Sequence, residues 1–387
     1  MISIHNIIVP FLVAFVATLW IHPKVLKIAI MKNLVDNPDA RKLQRNPTPV
    51  MGGIAVFFGL ILGLASSQII STSYIFIYSA VMMIMLYVGT IDDILNLSPK
   101  LRLIIEIAVI GLLIFVTDGS INNFFGMWGL GALNIWVAVP LTIVACVGII
   151  NAINLIDGVN GLSTGFCVLA SILFAIFFYH SNNITMCTIA MASMGAIIPF
   201  FLHNVFGKAT RMFIGDGGAL VMGIIMSTFI MNILRTDSTG YIYELKHFGL
   251  IPFCLAVLSV PVFDTLRVMS TRILRGTSPF NADKTHLHHL FIDLGFSHIG
   301  TTFSILSLNT LIVLCWWLSY KLGASIDIQL YIVLSMSILV TFVFYAYTRK
   351  QIRKDSGYYH FLHRIGKMTH IEKNKTWKHF EKIIDRI

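Results

Sequence analysis

Apolar residues run almost unbroken for about twenty positions at a time, eleven times along the chain, and short polar stretches separate the runs. They lie near 4 to 21, 50 to 70, 74 to 91, 103 to 117, 132 to 150, 162 to 180, 184 to 203, 213 to 234, 248 to 269, 302 to 320 and 328 to 348. About twenty apolar residues are what a helix needs to cross the hydrocarbon core of a bilayer. The pattern predicts an all-α fold: a polytopic integral membrane bundle of about eleven transmembrane helices.

Composition agrees, because 56% hydrophobic and 12% charged residues do not suit the surface of a soluble globule of 387 residues. The first run lacks a basic flank and a small-residue cleavage site, so it reads as a retained span rather than a signal peptide. Cys146, Cys167, Cys187, Cys254 and Cys315 all sit inside apolar runs without Cys-x-x-Cys spacing and read as small buried hydrophobes. With no internal repeat or inserted polar domain, residues 1–348 read as one transmembrane domain and 349–387 as a basic tail.

Charge sets the sides. If alternate connections are assigned to opposite faces, 25 of the 28 Lys and Arg residues collect on one side, and only Arg235, Lys246 and Lys321 fall on the other. By the positive-inside rule the amino terminus is outside and the tail is cytoplasmic. Every stretch dense in unusual polar residues also falls on the basic side: DNPDARKLQRNPTPVMGG from Asp36, GTIDDILNLSPKLRL from Gly89, NAINLIDGVNGLSTG from Asn151, FIGDGGALVMG from Phe213 and RGTSPFNADKTHLHHL from Arg275. The corresponding cytoplasmic loops are 22–49, 92–102, 151–161, 204–216 and 270–301. A transporter would more often place polar groups near the bilayer midplane on broken helices.

These stretches carry what transfer of a phosphorylated sugar needs. Asp92, Asp93, Asp157 and Asp216 are candidate acids, and carboxylates that gather without a cation repel one another. Magnesium suits them, since it takes a few carboxylates together with waters and substrate phosphates, and manganese is the alternative ion. Gly215, Gly217 and Gly218 around Asp216, and Gly158 after Asp157, would let the backbone approach a ligand. Asn151 and Asn154 offer amide oxygens to the cation or to a nucleotide. Arg41, Lys42, Lys100 and Arg275 are candidate phosphate holders. His286, His288 and His289 offer imidazoles to phosphate or sugar oxygens. Zinc is a second reading of these histidines, but such sites close with further ligands and this loop has no cysteine.

In these motifs, taken in order across residues 36 to 290, the chain resembles the polyprenyl-phosphate N-acetylhexosamine-1-phosphate transferases, the superfamily of WecA, TagO, MraY and the eukaryotic dolichyl-phosphate enzyme. The resemblance implies magnesium-dependent transfer of HexNAc-1-phosphate from a UDP-N-acetylhexosamine to undecaprenyl phosphate, releasing UMP, in a bacterial inner (plasma) membrane with the site facing the cytoplasm. It implies Asp92, Asp93 and Asp157 as catalytic residues, and Asp216 and Asn154 as metal ligands. Asn151, Asn160, Lys100, Arg41, Lys42, Arg275, His286, His288 and His289 would bind substrate. HLHH after SPFNAD resembles the WecA and TagO branch, whose donor is UDP-GlcNAc, more than MraY, which uses UDP-MurNAc-pentapeptide. A homodimer accords with the family. Two positions depart from the bacterial pattern: Asn160 stands where relatives commonly have a second aspartate, which bears on uracil contacts, and Gln44 stands where the RKxH motif has histidine.

Each feature also has a structural reading. Asp92 and Asp93 could cap the following helix. Asn151, Asn154, Asp157 and Asp216 could serve turns, and the histidines an exposed loop. Asp264 and Arg267, three apart, are expected simply to pair, and Glu106 to face the bundle or the interface. The tail, with Tyr358, Trp377 and Phe380 among its basic residues, reads as an amphipathic helix on anionic membrane lipid and not as a nucleic-acid binder. Two rival classes are a transporter or flippase of anionic lipid-linked sugars, which predicts midplane charges and repeats, and a scaffold, which leaves the aspartates without a use.

Overall fold

The computed structural model describes residues 5–36, 47–67, 72–236, 247–279 and 283–386. The eleven apolar runs fall on helices, and polar residues between them cap several of the helix starts. Ser98 accepts from the Leu101 backbone N–H with Pro99 at the first helical position, starting α4 (Pro99–Thr117). Asn134 caps α5 (Ile135–Leu155) and Asn183 caps α7 (Ile184–Phe206). Ser297 caps α12 (His298–Lys321), and Ser325 caps α13 (Ile326–Ile338). The remaining helices are α1 (His5–Met31), α2 (Gly52–Ala65), α3 (Thr72–Leu95), α6 (Leu162–His180), α8 (Gly215–Ile233), α9 (Leu250–Val257), α10 (Ser259–Leu274), α11 (Leu287–Asp293), α14 (Phe344–Arg353), α15 (Gly357–Met368) and α16 (Lys375–Ile384). Val35–Asp36 and Thr48–Pro49 form a small antiparallel ladder.

Among the described residues, eight helices are long and apolar enough to cross a membrane, and α9 with α10, bent by 75°, makes a ninth if the pair is one span. The chain is therefore an all-α polytopic membrane protein. Of the other two expected spans, α2 is short, and α4 carries Lys100, Arg102 and Glu106. Large apolar side chains such as Phe115, Trp136 and Val144 point outward, as lipid requires and water would penalise.

The chain forms two compact units, Met1–Asp118 with Ser163–Phe229 and Glu372–Ile387, and Gly119–Leu162 with Ile230–Ile371. In the first, α1 packs on α2 and α7 through small residues. A Cβ on Gly59 would lie 1.9 Å from the Thr18 hydroxyl, and one on Gly195 would lie 2.3 Å from the Phe11 carbonyl oxygen. Such close backbone approach supplies packing where lipid gives helices no hydrophobic drive to associate. The end of the tail belongs to this unit: Trp377 is buried with its ring 4.9 Å from that of Phe206, and the Asp385 carboxylate accepts from the backbone N–H groups of Lys208, Ala209 and Thr210. That apolar face of the tail covers protein. Phe380 remains exposed.

In the second unit Phe248, Phe253, Trp316 and Tyr320 form an aromatic cluster. α15 folds back on the start of α12, where Ser297 Oγ donates to the Thr369 carbonyl and its N–H donates to Thr369 Oγ1. The bend between α9 and α10 interrupts the helical ladder inside an apolar environment, so its polar groups need partners. Asn309 of α12 supplies them: its Oδ1 accepts from Val260 N at 3.0 Å and Ser259 Oγ at 2.9 Å, and its Nδ2 donates to the Val257 carbonyl at 3.0 Å. Asn309→Leu, which fills the volume and leaves these groups unpaired, is expected to destabilise the protein by roughly 2 to 4 kcal/mol. A thermal melt in detergent checks this, and an unchanged midpoint would refute it.

Candidate functional site

Two polar clusters occupy the two units, and each is described within its own. The first gathers Asp92 and Asp93 from the last turns of α3, Arg102 and Glu106 from α4, and Asp216 from the first turn of α8. Acidic groups at a helix C-terminus meet the negative end of the helix dipole, whereas a helix N-terminus attracts them. The fold uses that difference. Asp93 Oδ1 accepts from Asp216 N at 3.0 Å and Oδ2 from Gly217 N at 3.5 Å, so Asp93 caps α8. The cap expected on the following helix is Ser98 instead. Asp92, mostly buried, accepts from Leu97 N at 2.7 Å and from Arg102 Nη1 at 3.0 Å.

Arg102 is the hub. Its guanidinium also lies 3.6 Å from Asp216 Oδ2 and 3.5 Å from Glu106 Oε1. The described residues gather four carboxyl groups about the Arg102 guanidinium, an oxygen-rich set of the kind a hard cation takes. The Asp216 side chain is 33% exposed and that of Asp92 10%, so Asp216 is the more open of the two. Among the described residues no three His, Cys, Asp or Glu side chains are placed to cage a metal. Magnesium asks for no such cage, since one or two carboxylates with water and substrate phosphate suffice. The donor set fits it.

The glycines around Asp216 serve helix packing. A Cβ on Gly89 of α3 would sit 2.4 Å from Gly217 Cα, and one on Gly53 of α2 would sit 2.3 Å from Gly218 N. Gly215, at φ +71°, takes a conformation L side chains rarely adopt, beside the Asp93 carboxylate. Gly217 and Gly218 thus admit α3 and α2 to close contact.

The second cluster joins the end of α5 to α11. Asn151 is buried and donates its amide to the Val147 carbonyl of its own helix. Asn154 and Asp157 are half-buried at the helix end. Gly158 makes room for a side chain, since a Cβ there would meet His288 Nε2 at 2.4 Å. Asn160 is held by its backbone, which donates to His298 Nδ1 and accepts from Thr302 Oγ1. His286 and His288 are buried, so HLHH is not an exposed loop. Burial first, and then the neighbouring His289 and His286, push His288 well below the usual imidazole range. Burial and His286 bring His289 down to about 4. Both are neutral at physiological pH and act as hydrogen-bonding groups, not charges.

Lys100 and Arg275 are exposed, the latter just past the end of α10. Arg272 is the buried arginine there. It donates to the Asp283 carboxylate at 2.8 Å and the Pro279 carbonyl at 2.7 Å. Burial alone would raise the Asp283 carboxyl, but hydrogen bonds from Arg272 and Thr285 outweigh it and hold it at about 2. Arg41, Lys42 and Gln44 lie outside the described residues. Asp216 belongs to the first unit and Asn154 to the second.

Three residues gain a place that sequence alone did not assign. Arg102 was only one basic residue in a connection. Glu106, fully buried, was expected to face the bundle or the interface, and it faces Arg102. Asp264 pairs with Arg267 as expected, at 2.6 Å, and also binds His286 Nδ1 at 3.0 Å. A carboxylate inside an apolar segment was the available signal for both acids, because such burial is costly without a use.

The glycosyl transferase family 4 model matches residues 75–234. The chain is 31% identical over 315 residues to a probable undecaprenyl-phosphate N-acetylglucosaminyl 1-phosphate transferase of Bacillus subtilis (strain 168), covering 78% of this chain and 84% of that one. It is 30% identical over 280 residues to an undecaprenyl-phosphate alpha-N-acetylglucosaminyl 1-phosphate transferase of Yersinia pestis, covering 70% and 73%. The namesake of Escherichia coli (strain K12) is 28% identical over 281 residues, covering 70% and 72%.

Proposed function

The chain belongs to the undecaprenyl-phosphate N-acetylglucosaminyl 1-phosphate transferases, and from that premise we infer that it moves N-acetylglucosamine 1-phosphate from UDP-GlcNAc to undecaprenyl phosphate and releases UMP. The observation that carries the chemistry is the cluster of Asp92, Asp93 and Asp216 around Arg102 at the start of α8. The finer reading has eleven spans, an amino terminus outside, a site at the cytoplasmic face of a bacterial inner membrane, and a homodimer. The asymmetry of Lys and Arg supports the orientation.

An oxygen of the lipid phosphate attacks the sugar-linked phosphorus, forming the new P–O bond as the bond to UMP breaks. That phosphate is a monoester with a second pKa near about 6, already largely dianionic at neutral pH, so a strong base is unnecessary. Catalysis in such a displacement is positioning and charge stabilisation. Asp216 is the residue to hold magnesium, with Asp92 or Asp93 assisting; manganese is the alternative ion. Bound there, the ion would neutralise the diphosphate and the leaving UMP. Arg102 keeps Asp92 and Asp216 from repelling each other. Asp93 fixes the α8 N-terminus and so the direction of Asp216. Within the second unit Asn154 is the candidate for a further metal ligand, Asp157 for a catalytic carboxylate, and neutral His289 for a hydrogen bond to donor oxygens.

The test is UMP release by purified protein in detergent with undecaprenyl phosphate and magnesium, comparing UDP-GlcNAc, UDP-GalNAc and UDP-MurNAc-pentapeptide. Turnover with UDP-GlcNAc is expected to exceed that with either competitor. Folded protein that releases no UMP from UDP-GlcNAc would end this reading.

A further inference from the structure

Asp264 lies on α10 and takes no part in the chemistry above, yet its two oxygens accept four hydrogen bonds. Oδ1 receives Arg267 Nε at 3.2 Å and Nη2 at 2.6 Å, and Oδ2 receives the Leu287 N–H at 3.0 Å and lies 3.0 Å from His286 Nδ1. Arg267 also donates to the Thr285 carbonyl at 2.6 Å, and its guanidinium lies 3.7 Å from the centre of the Tyr345 ring. The Asp264–Arg267 pair thus grips the backbone on both sides of His286, at Thr285 and at Leu287, and the ring itself. A carboxylate so surrounded is ionised and can only accept, so the proton of the His286 ring sits on Nδ1. In the neutral ring Nε2 then carries a lone pair, and this buried atom has no hydrogen-bond partner among the described residues. Leaving it so is costly.

We propose that Asp264 is a positioning residue that fixes His286 in the Nδ1–H tautomer, so that Nε2 accepts a hydrogen bond from an O–H or N–H of the UDP-sugar. The choice of UDP-sugar rests on the function proposed above, whereas the tautomer does not. Asp264→Asn turns an amide toward one of the two sides, so either Arg267 or His286 loses its acceptor. His286→Gln places an amide near the position of Nε2 without needing Asp264.

The first measurement is the 15N spectrum of histidine-labelled wild-type protein in detergent, with the His286 signals identified by their loss in His286→Gln. A protonated Nδ1 and an unprotonated Nε2 are expected, with Nε2 shifting on addition of UDP-GlcNAc. A proton on Nε2, or an Nε2 that UDP-GlcNAc leaves unmoved, would overturn the proposal. The second is kinetic. Asp264→Asn is expected to lower kcat/KM for UDP-GlcNAc by roughly 10- to 100-fold, the range seen when carboxylates that orient histidines are removed, and to cause no further loss in the His286→Gln background. Equal losses in both backgrounds would mean that Asp264 acts independently of His286. If Asp264→Asn fails to fold, the wild-type spectrum decides alone. Wild-type protein that shows the expected tautomer but releases no UMP would count against the reaction and not against the tautomer.

Discussion

Asp216→Asn is expected to lower UMP release from UDP-GlcNAc by at least about a hundredfold, on the order of the loss when one preorganised charge-stabilising group is removed from a phosphoryl or acyl transfer site. Asparagine keeps the shape and suits the first turn of a helix, so α8 should still form. The charge is gone, and one oxygen becomes an amide that repels a cation. Arg102 loses a partner 3.6 Å away but keeps Asp92 at 3.0 Å and Glu106 at 3.5 Å, which should preserve the fold. The experiment is UMP release against magnesium concentration for both proteins, with a thermal melt beside it. Wild-type turnover at ordinary magnesium would remove Asp216 from the site.

Gly89→Ala should be nearly as damaging, although residue 89 presents no functional group. A methyl there would lie 2.4 Å from both Cα and N of Gly217 and 2.5 Å from the Asp216 carbonyl carbon. All three are backbone atoms, so α3 and α8 must separate by roughly an ångström to restore normal contact. Asp92 and Asp93 ride on α3, and Asp93 already holds the N–H groups of residues 216 and 217 at 3.0 and 3.5 Å. A displacement of that size at a reacting centre costs about a hundredfold in rate, and overpacking adds about 1 to 3 kcal/mol of instability. Gly111→Ala on α4 is the control. Its methyl would meet nothing within 4 Å, so activity and melting temperature should hold or rise slightly. Equal behaviour of the two variants would show that helix separation at Gly89 does not matter.

The contrast between those glycines explains how far the sequence could be read. The apolar runs predicted helices because chain length in lipid is set by hydrocarbon thickness, a one-dimensional property visible in any window of about twenty residues. The polar stretches marked where chemistry should be, because carboxylates and imidazoles have no cheap place in hydrocarbon. Gly89 and Gly111 look alike in sequence, and only the neighbouring helix distinguishes them. Asp93 was legible as a functional or capping residue, but the helix it caps begins at residue 215, and no local signal links the two.

What the sequence by itself determined is the all-α membrane class, the helix positions, and the residue types available for phosphosugar transfer. Each follows from solvation and spacing along one strand of chain. The tertiary structure decided which polar groups meet: Arg102 with Asp92 and Asp216, Asp264 with His286, and Asn309 with the bend of α9 and α10. A buried polar group is stable only beside its partner, and these partners come from other helices or from later in the chain. Their identity is therefore a property of packing and not of local pattern.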